Sequence, residues 1–346
     1  METAPKRACA SGSSAPGRVE RFRLRLRYGL LHLVLSFLPS RQAMQSVVLS
    51  KRGIDLWRSM PAVDLDISEF LSITRRSSQY CCKDVWGKME NFSTNLLMRH
   101  RAPRLDAFRL RIGSIMIDWS RNSFFFSIAT EYCPMELEIR LNRLDWSVLY
   151  QLPKLVSCHL KRFVLSGVSL EHSFAEHLHS GCPALEDLVL WGCDTEFCGL
   201  QSETLKNLVI RSCTSRVADI LVIRAPSPAS LRLDLLYNTH KNGVLLDTEK
   251  FLVKASISLA SDQLSQRGEA ILLGSLFSVT SLELGGFNAM AILDKEFDKS
   301  PAFDNLRTLA LNWCFHSKRD VNKFKALGRL LQKSPNLEKL TLQTFW

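Results

Sequence analysis

"LEDLVLWGC", residues 185–193, is the stretch on which the fold turns. Leucines stand at 185, 188 and 190, and Cys193 follows three places later. Side chains alternate along a strand, so Leu188 and Leu190 point one way while Asp187, Val189 and Trp191 point the other. The phrase returns as "LKNLVIRSC" (Leu205, Leu208, Ile210, Cys213), "LRTLALNWC" (Leu306, Leu309, Leu311, Cys314) and "LEKLTLQTF" (Leu337, Leu340, Leu342, Phe345). Looser copies read "LDAFRLRIG" from Leu105, "PMELEIRLN" from Pro134, "LVSCHLKRF" from Leu155, "PASLRLDLL" from Pro228 and "VTSLELGGF" from Val279, with a degenerate one through Ile257 and Leu259.

Copies start roughly 20 to 31 residues apart, the range of leucine-rich repeats or slightly above it. One strand cannot bury its apolar side alone, but parallel strands from successive copies hide a common core. The expected fold is therefore α/β: an irregular leucine-rich-repeat solenoid over residues 101–346, with parallel strands on the concave face and helices or loops on the convex one. The residue three places after the last leucine sits where the chain leaves the strand. A small donor there, Asn142 in one copy and cysteine in three, can satisfy carbonyls that would otherwise be buried unpaired. Phe163, Phe287 and Phe345 in that place would plug the corner by bulk. Cys182-Pro183 stops a helix expected over "SLEHSFAEHLHSG".

The residues between the leucines bear on function. Asp187, Val189 and Trp191 alternate outward, as do Asn207, Val209 and Arg211, then Arg232 and Asp234, then Thr308, Ala310 and Asn312, then Lys339, Thr341 and Gln343. Stacked, they line one exposed sheet face, of the kind that repeat proteins use for binding. From this set we take Asp187, Val189, Trp191, Asn207, Arg211, Arg232, Asp234 and Asn312 as candidates for contact with a partner protein. An exposed indole such as Trp191 calls for a cover.

The head of the chain has another period. Residues 1–20 are rich in Ala, Ser, Gly and Pro ("ASGSSAPGR") and read as a disordered tail. Leu30, Leu31, Val34, Leu35 and Leu38 follow as one helical stripe. Pro39 ends that helix, and Ser40 can cap the next, where Ala43, Met44, Val47 and Val48 repeat the stripe. Ser50 can cap a third turn closing in Leu56 and Trp57. Three small helices over residues 21–60 make a marginal core, so this unit should dock on something. Residues 61–100 connect it to the repeats.

Composition narrows the classes. With 46% hydrophobic and 23% charged residues the chain is globular. The net charge is +11, but residues 1–27 alone hold seven basic residues against two acidic ones. The mild remaining excess forms no basic stripe interleaved with aromatics, so no nucleic-acid partner is expected. The apolar run 28–38 is too short to span a bilayer, and no membrane partner is expected. A signal peptide is disfavoured because an amphipathic segment follows the apolar run directly. Single cysteines at strand ends suit buried thiols in the cytoplasm or nucleus rather than a disulfide framework. His172, His177, His179 and Cys182 do not share one helix face, which argues against a metal, and no cofactor is expected. Without a phosphate-binding glycine loop, a nucleophile elbow or a convergent nucleophile and base, no enzymatic activity is expected.

The words match a known plan. "GLLHLVLSFLPSRQAMQSVVLSKRGIDLWRSMPAVDLDISEF", residues 29–70, resembles the F-box of the large plant F-box/leucine-rich-repeat family, including the trailing D-L-D-x-x-x-F where the first strand begins. "CPALEDLVLWGC", "LVIRAPSPASLRLD" and "SPNLEKLTL" are similar to phrases in that family's repeats. The resemblance runs over about residues 21–346. It implies a substrate receptor of a cullin-based SCF ubiquitin ligase, whose F-box binds a Skp-type adaptor while the repeats hold a protein substrate. By position, the adaptor contacts would be Leu30, Leu31, Val34, Leu35, Leu38, Pro39, Val47, Val48, Leu49, Leu56 and Trp57. The chain departs from the family where Leu26 is followed by Arg27 and Tyr28 instead of Pro-Asp, and where Gly53 replaces a tryptophan. It stops soon after a repeat strand without the FBD-type tail of many relatives, so the last sheet edge is expected to be uncapped. A repeat scaffold whose head no longer docks, with no ligase role, is the alternative.

Overall fold

The structure, a computed structural model, describes residues 29–47, 53–71, 81–102, 104–113, 131–141, 154–226, 228–236, 240–248, 252–260, 263–315 and 320–343. The expected tail 1–20, Arg27, Tyr28, Asn142, Val48, Leu49, Ser50 and Phe345 lie outside them, as does the side chain of Val47. The fold is α/β, organised around one large parallel sheet.

Eleven strands form that sheet in sequence order. They are β1 (Ala62–Asp66), β2 (Ala107–Ile112), β3 (Glu136–Leu141), β4 (Arg162–Ser166), β5 (Asp187–Trp191) and β6 (Asn207–Arg211). Then come β7 (Ser230–Leu235), β8 (Lys254–Leu259), β9 (Ser281–Gly285), β10 (Thr308–Asn312) and β11 (Lys339–Gln343). Every neighbouring pair is parallel. Leu188 lies beside Phe163 and Leu208, and Leu190 beside Leu165 and Ile210. The alternation of each phrase thus becomes two apolar rows on the inner face, almost all of their side chains inaccessible up to β10. Each fully buried leucine contributes about 1.5–3 kcal/mol. At β11 the rows surface, and Leu340 and Leu342 are exposed.

The corners behave as their chemistry demands. The Cys193 thiol reaches the Leu165 carbonyl at 3.7 Å, Cys213 that of Leu190 at 3.6 Å and Cys314 that of Leu284 at 3.4 Å. Each is a weak hydrogen bond onto the adjoining strand, and burial pushes the Cys314 thiol up to about 11. Phe287 fills its corner and is fully buried. Gly167 and Gly286 leave their strands with φ of 71° and 75°. A Cβ at either position would run into a backbone carbonyl, of Leu141 or Leu259 respectively.

Four expectations need correction, the last of them at the front of the chain. In "LVSCHLKRF" the strand is not at Cys158–Leu160, where the chain turns, but at β4. The matching positions are Leu160, Phe163, Leu165 and Val168, so Phe163 is an inward strand residue and no corner plug. The sheet begins at β1, at the D-L-D where the resemblance put the first strand, so the stretch 61–100 is not a connector only. Moreover, the side away from the large sheet is not all helix and loop. Gly199–Gln201, Leu221–Arg224 and Val244–Asp247 form a second parallel sheet, and Ser169–Leu170, Asp194–Thr195 and Thr214–Ser215 a third. Helices Ser173–Gly181, Gln266–Ser275 and Asp320–Gln332 occupy other parts of the chain. Cys182 caps the first of these, as its following proline suggested.

At the front, residues 29–36 are helical, followed by helices Ser40–Val47 and Gly53–Arg58. Their inner side chains, Leu35, Ala43, Leu56 and Trp57, join the same apolar core as the sheet. Ser40 is no N-cap. Its buried hydroxyl accepts the N–H of Asp64 at 2.8 Å and fastens the second helix to β1. Arg41 reaches the Glu69 carbonyl and lies 4.8 Å over the Phe70 ring. The helix Cys81–Arg99 packs in behind, where Phe92 meets Phe70 at 5.5 Å.

Candidate functional site

Docking leaves part of the first helix uncovered. His32 Nε2 lies 3.1 Å from both the Leu56 carbonyl and the Ser59 hydroxyl, holding one side of the helix against the third. Leu30, Leu33, Val34 and Phe37 then fall at i, i+3, i+4 and i+7 on the other side, all exposed, with Leu31 beside them. Phe37 is the extreme case at 77% exposure. A contiguous apolar stripe of this kind, unlike scattered single residues, makes this side of the helix a candidate contact site.

The predicted head contacts therefore divide. Leu30, Leu31 and Val34 lie on the open stripe. Leu35, Leu56 and Trp57 are buried in the chain's own core, and Leu38 and Pro39 are half-buried. Leu33 and Phe37 share the open stripe but are not among the contacts expected from the sequence, although a second helical stripe, 30-33-34-37, runs through the same residues.

The outer face of the sheet is the second candidate. The parallel register sets Val164, Val189 and Val209 side by side on β4, β5 and β6. Asp187 and Asn207 lie one row toward the strand starts, and Trp191 and Arg211 one row toward the strand ends. Trp191 is exposed, with the Arg211 guanidinium 5.7 Å over its ring. Arg211 also donates to Asp234 at 2.6 Å, and Arg232 lies 3.5 Å from the same carboxylate. Asn312 stands four strands from Arg211, bonded at 2.9 Å to Glu283. The structure thus brings Asp187 through Asp234 together and leaves Asn312 apart.

Toward the front, Arg111 bridges Asp64 at 2.9 Å and Glu138 at 3.3 Å, and Arg140 meets Glu138 at 2.8 Å. Burial raises the Asp64 carboxyl above its ordinary value, against the pull of the arginines. A cleft of about 520 Å³ opens over the ends of β1 to β5, between Arg111, Arg140, Ser166 and Trp191. Individual repeat phrases did not mark Arg111 and Arg140 as part of this face, because only the cross-strand register puts them beside Ser166 and Trp191.

Chemistry at the remaining polar clusters is sparse. His172 precedes its helix, 3.6 Å from Glu196, and is highly exposed. Among the described residues no group of three or more His, Cys, Asp or Glu is placed to hold a metal ion. No helix among them is long and apolar enough to cross a membrane.

A short helical head is followed by a ladder of leucine-built parallel strands, and the sequence that builds them has known relatives. The chain is 31% identical over 348 residues to the meiotic F-box protein MOF of Oryza sativa subsp. japonica, which covers 90% of this chain and 69% of that protein. It is 28% identical to an F-box/LRR-repeat protein of Arabidopsis thaliana, over 90% of this chain and 70% of the other. An F-box/FBD/LRR-repeat protein of the same plant is 24% identical, over 90% and 74%. No protein-family model matches the chain. The chain belongs to the plant F-box proteins, among relatives named for an F-box, leucine-rich repeats or an FBD.

Proposed function

We propose that this protein is the substrate-recognition subunit of an SCF-type cullin ubiquitin ligase. In this reading the three helices 29–58 are an F-box that docks a Skp-type adaptor, and through it a cullin. The strand ladder is a leucine-rich-repeat solenoid whose open face holds the protein to be ubiquitinated. The chain itself performs no catalysis and works in the cytoplasm or the nucleus, with its cysteines as thiols.

The observation that carries the reading is the open stripe Leu30, Leu33, Val34 and Phe37. Its helix is already tied on the opposite side to the chain's own core. Apolar side chains held out on an ordered helix gain about 1.5–3 kcal/mol each when a partner covers them fully. The test is co-purification of a Skp-type adaptor with the full chain. Wild type should retain the adaptor, and Leu33→Glu with Phe37→Glu should release it while the chain stays folded. A wild-type chain that holds no adaptor supports the scaffold reading instead.

A further inference from the structure

The cleft over the ends of β1 to β5 has the size and lining of a small-molecule site. Its volume of about 520 Å³ falls within the range of about 300–1,000 Å³ that such sites occupy. Its walls are mainly apolar, with Ile112 and Leu141 at the ends of β2 and β3 and Trp191, 46% exposed, at the end of β5. Arg211 lies over that indole from β6 and does not line the cleft, so the cleft side of the ring is left to a ligand. Gly192 sits at the foot of this wall with φ of 56°, and a Cβ there would meet nothing within 4 Å. A flat ring therefore has room to approach the backbone beside the indole. The charges around the cleft answer one another. Arg111 faces Asp64 at 2.9 Å, Glu138 at 3.3 Å and Asp66 at 3.9 Å, and Arg140 meets Glu138 at 2.8 Å. Three carboxylates stand against two guanidiniums, so no positive surplus is left to hold an anion. The Ser166 hydroxyl also lines the cleft, as does Arg140, which is bound to Glu138 through Nε and keeps terminal N–H groups to donate.

We infer that this cleft binds a neutral, planar aromatic small molecule that carries a ring oxygen or a carbonyl. The ring packs against Trp191, above Gly192 and beside Ile112 and Leu141. Its oxygen accepts hydrogen bonds from Arg140 and Ser166. An anion would meet the carboxylates of Asp64, Asp66 and Glu138, and a cation would meet the two guanidiniums, so charge on the ligand brings no gain. The inference does not depend on the ligase reading, because the chain forms this site by itself.

The test is a saturation-transfer NMR titration of the full chain, read on the signals of the added molecule. The probe is coumarin, which is neutral and planar. The controls are coumarin-3-carboxylate, its anion, and 2-decalone, a saturated bicyclic ketone of similar size. Coumarin should bind, and both controls should bind at least about tenfold more weakly. Trp191→Ala should weaken coumarin about tenfold, and Arg140→Gln comparably. Ser166→Leu puts an apolar side chain into the cleft and should abolish binding. Circular dichroism of each variant separates lost binding from lost fold, and Ser166→Val replaces the leucine variant should that one unfold. No saturation of coumarin at millimolar concentration overturns the inference. So does tighter binding of the carboxylate, equal binding of the saturated ketone, or coumarin binding that survives the filled cleft and is therefore adventitious. The readout needs no adaptor, so failure here leaves the ligase reading standing, and a chain that holds no Skp-type adaptor leaves this result standing.

Discussion

Phe37→Ala separates a binding role from a structural one, and its size can be worked from the structure. A buried phenylalanine contributes about 1.5–3 kcal/mol. Phe37 is 77% exposed, so that fraction of its surface is still available to a partner. Covering it is worth about 1.2–2.3 kcal/mol, scaled from the full burial value. Truncation to alanine should therefore weaken adaptor binding about 7- to 45-fold, taking tenfold per 1.4 kcal/mol. The free chain should lose less than about 0.5 kcal/mol of stability, because little of the ring is buried there. Leu35 provides the contrast. It is two residues away, on the helix that Phe37 directly follows, but buried in the chain's own core, so Leu35→Ala should cost about 2–5 kcal/mol of folding free energy. Calorimetric titration of each variant with a Skp-type adaptor, beside urea unfolding of each alone, reads both quantities. Unchanged affinity for Phe37→Ala, or a loss of stability as large as that of Leu35→Ala, would refute the reasoning.

Other expectations follow from particular contacts. Arg111→Met leaves Asp64 and Glu138 buried without their shared cation, and should destabilise the chain by about 1.5–3 kcal/mol in urea unfolding; an unchanged midpoint would mean that solvent screens the pair. Gly286→Ala forces a side chain into positive φ and against the Leu259 carbonyl, and should cost more than about 1 kcal/mol; an alanine variant that melts with wild type argues against that strand exit. Burial lowers the pKa of His100, with Nε2 2.8 Å from the Met60 carbonyl, and of His240. The unfolded chain therefore takes up these protons first, so the stability linked to them is full above about pH 6.5 and lost as pH falls below it. Urea midpoints between pH 7.5 and 5 should drop less steeply in His100→Asn combined with His240→Asn, and parallel slopes would remove these two groups from the account.

The arrangement of the sheet was legible in single phrases. Leu188 and Leu190 declare an inner face because strand period is two, and "LRTLALNWC" repeats the statement 121 residues later. The corner cysteines were legible for the same reason, since a small donor after a strand has one place to go. Reading failed where two frames fit the same letters. "LVSCHLKRF" satisfies the phrase at Leu155, Cys158 and Leu160, but the strand forms at Arg162–Ser166, where Phe163 and Leu165 align with Leu188 and Leu190 of the next strand. Register with a neighbour outweighed local pattern.

The amino-acid sequence alone determined that the molecule has a helical front and a strand-built remainder, and which strand residues face the core. These follow from periodicity, which is a property of near neighbours. Only the tertiary structure decided which side of the first helix stays open. Its residues fit two overlapping stripes, and the choice is made by packing against Leu56 and Ser59, more than twenty positions away. The pairing of arginines with buried carboxylates was likewise decided in three dimensions. It depends on which charges cross-strand register sets side by side, and that register is enforced by the apolar rows on the opposite face.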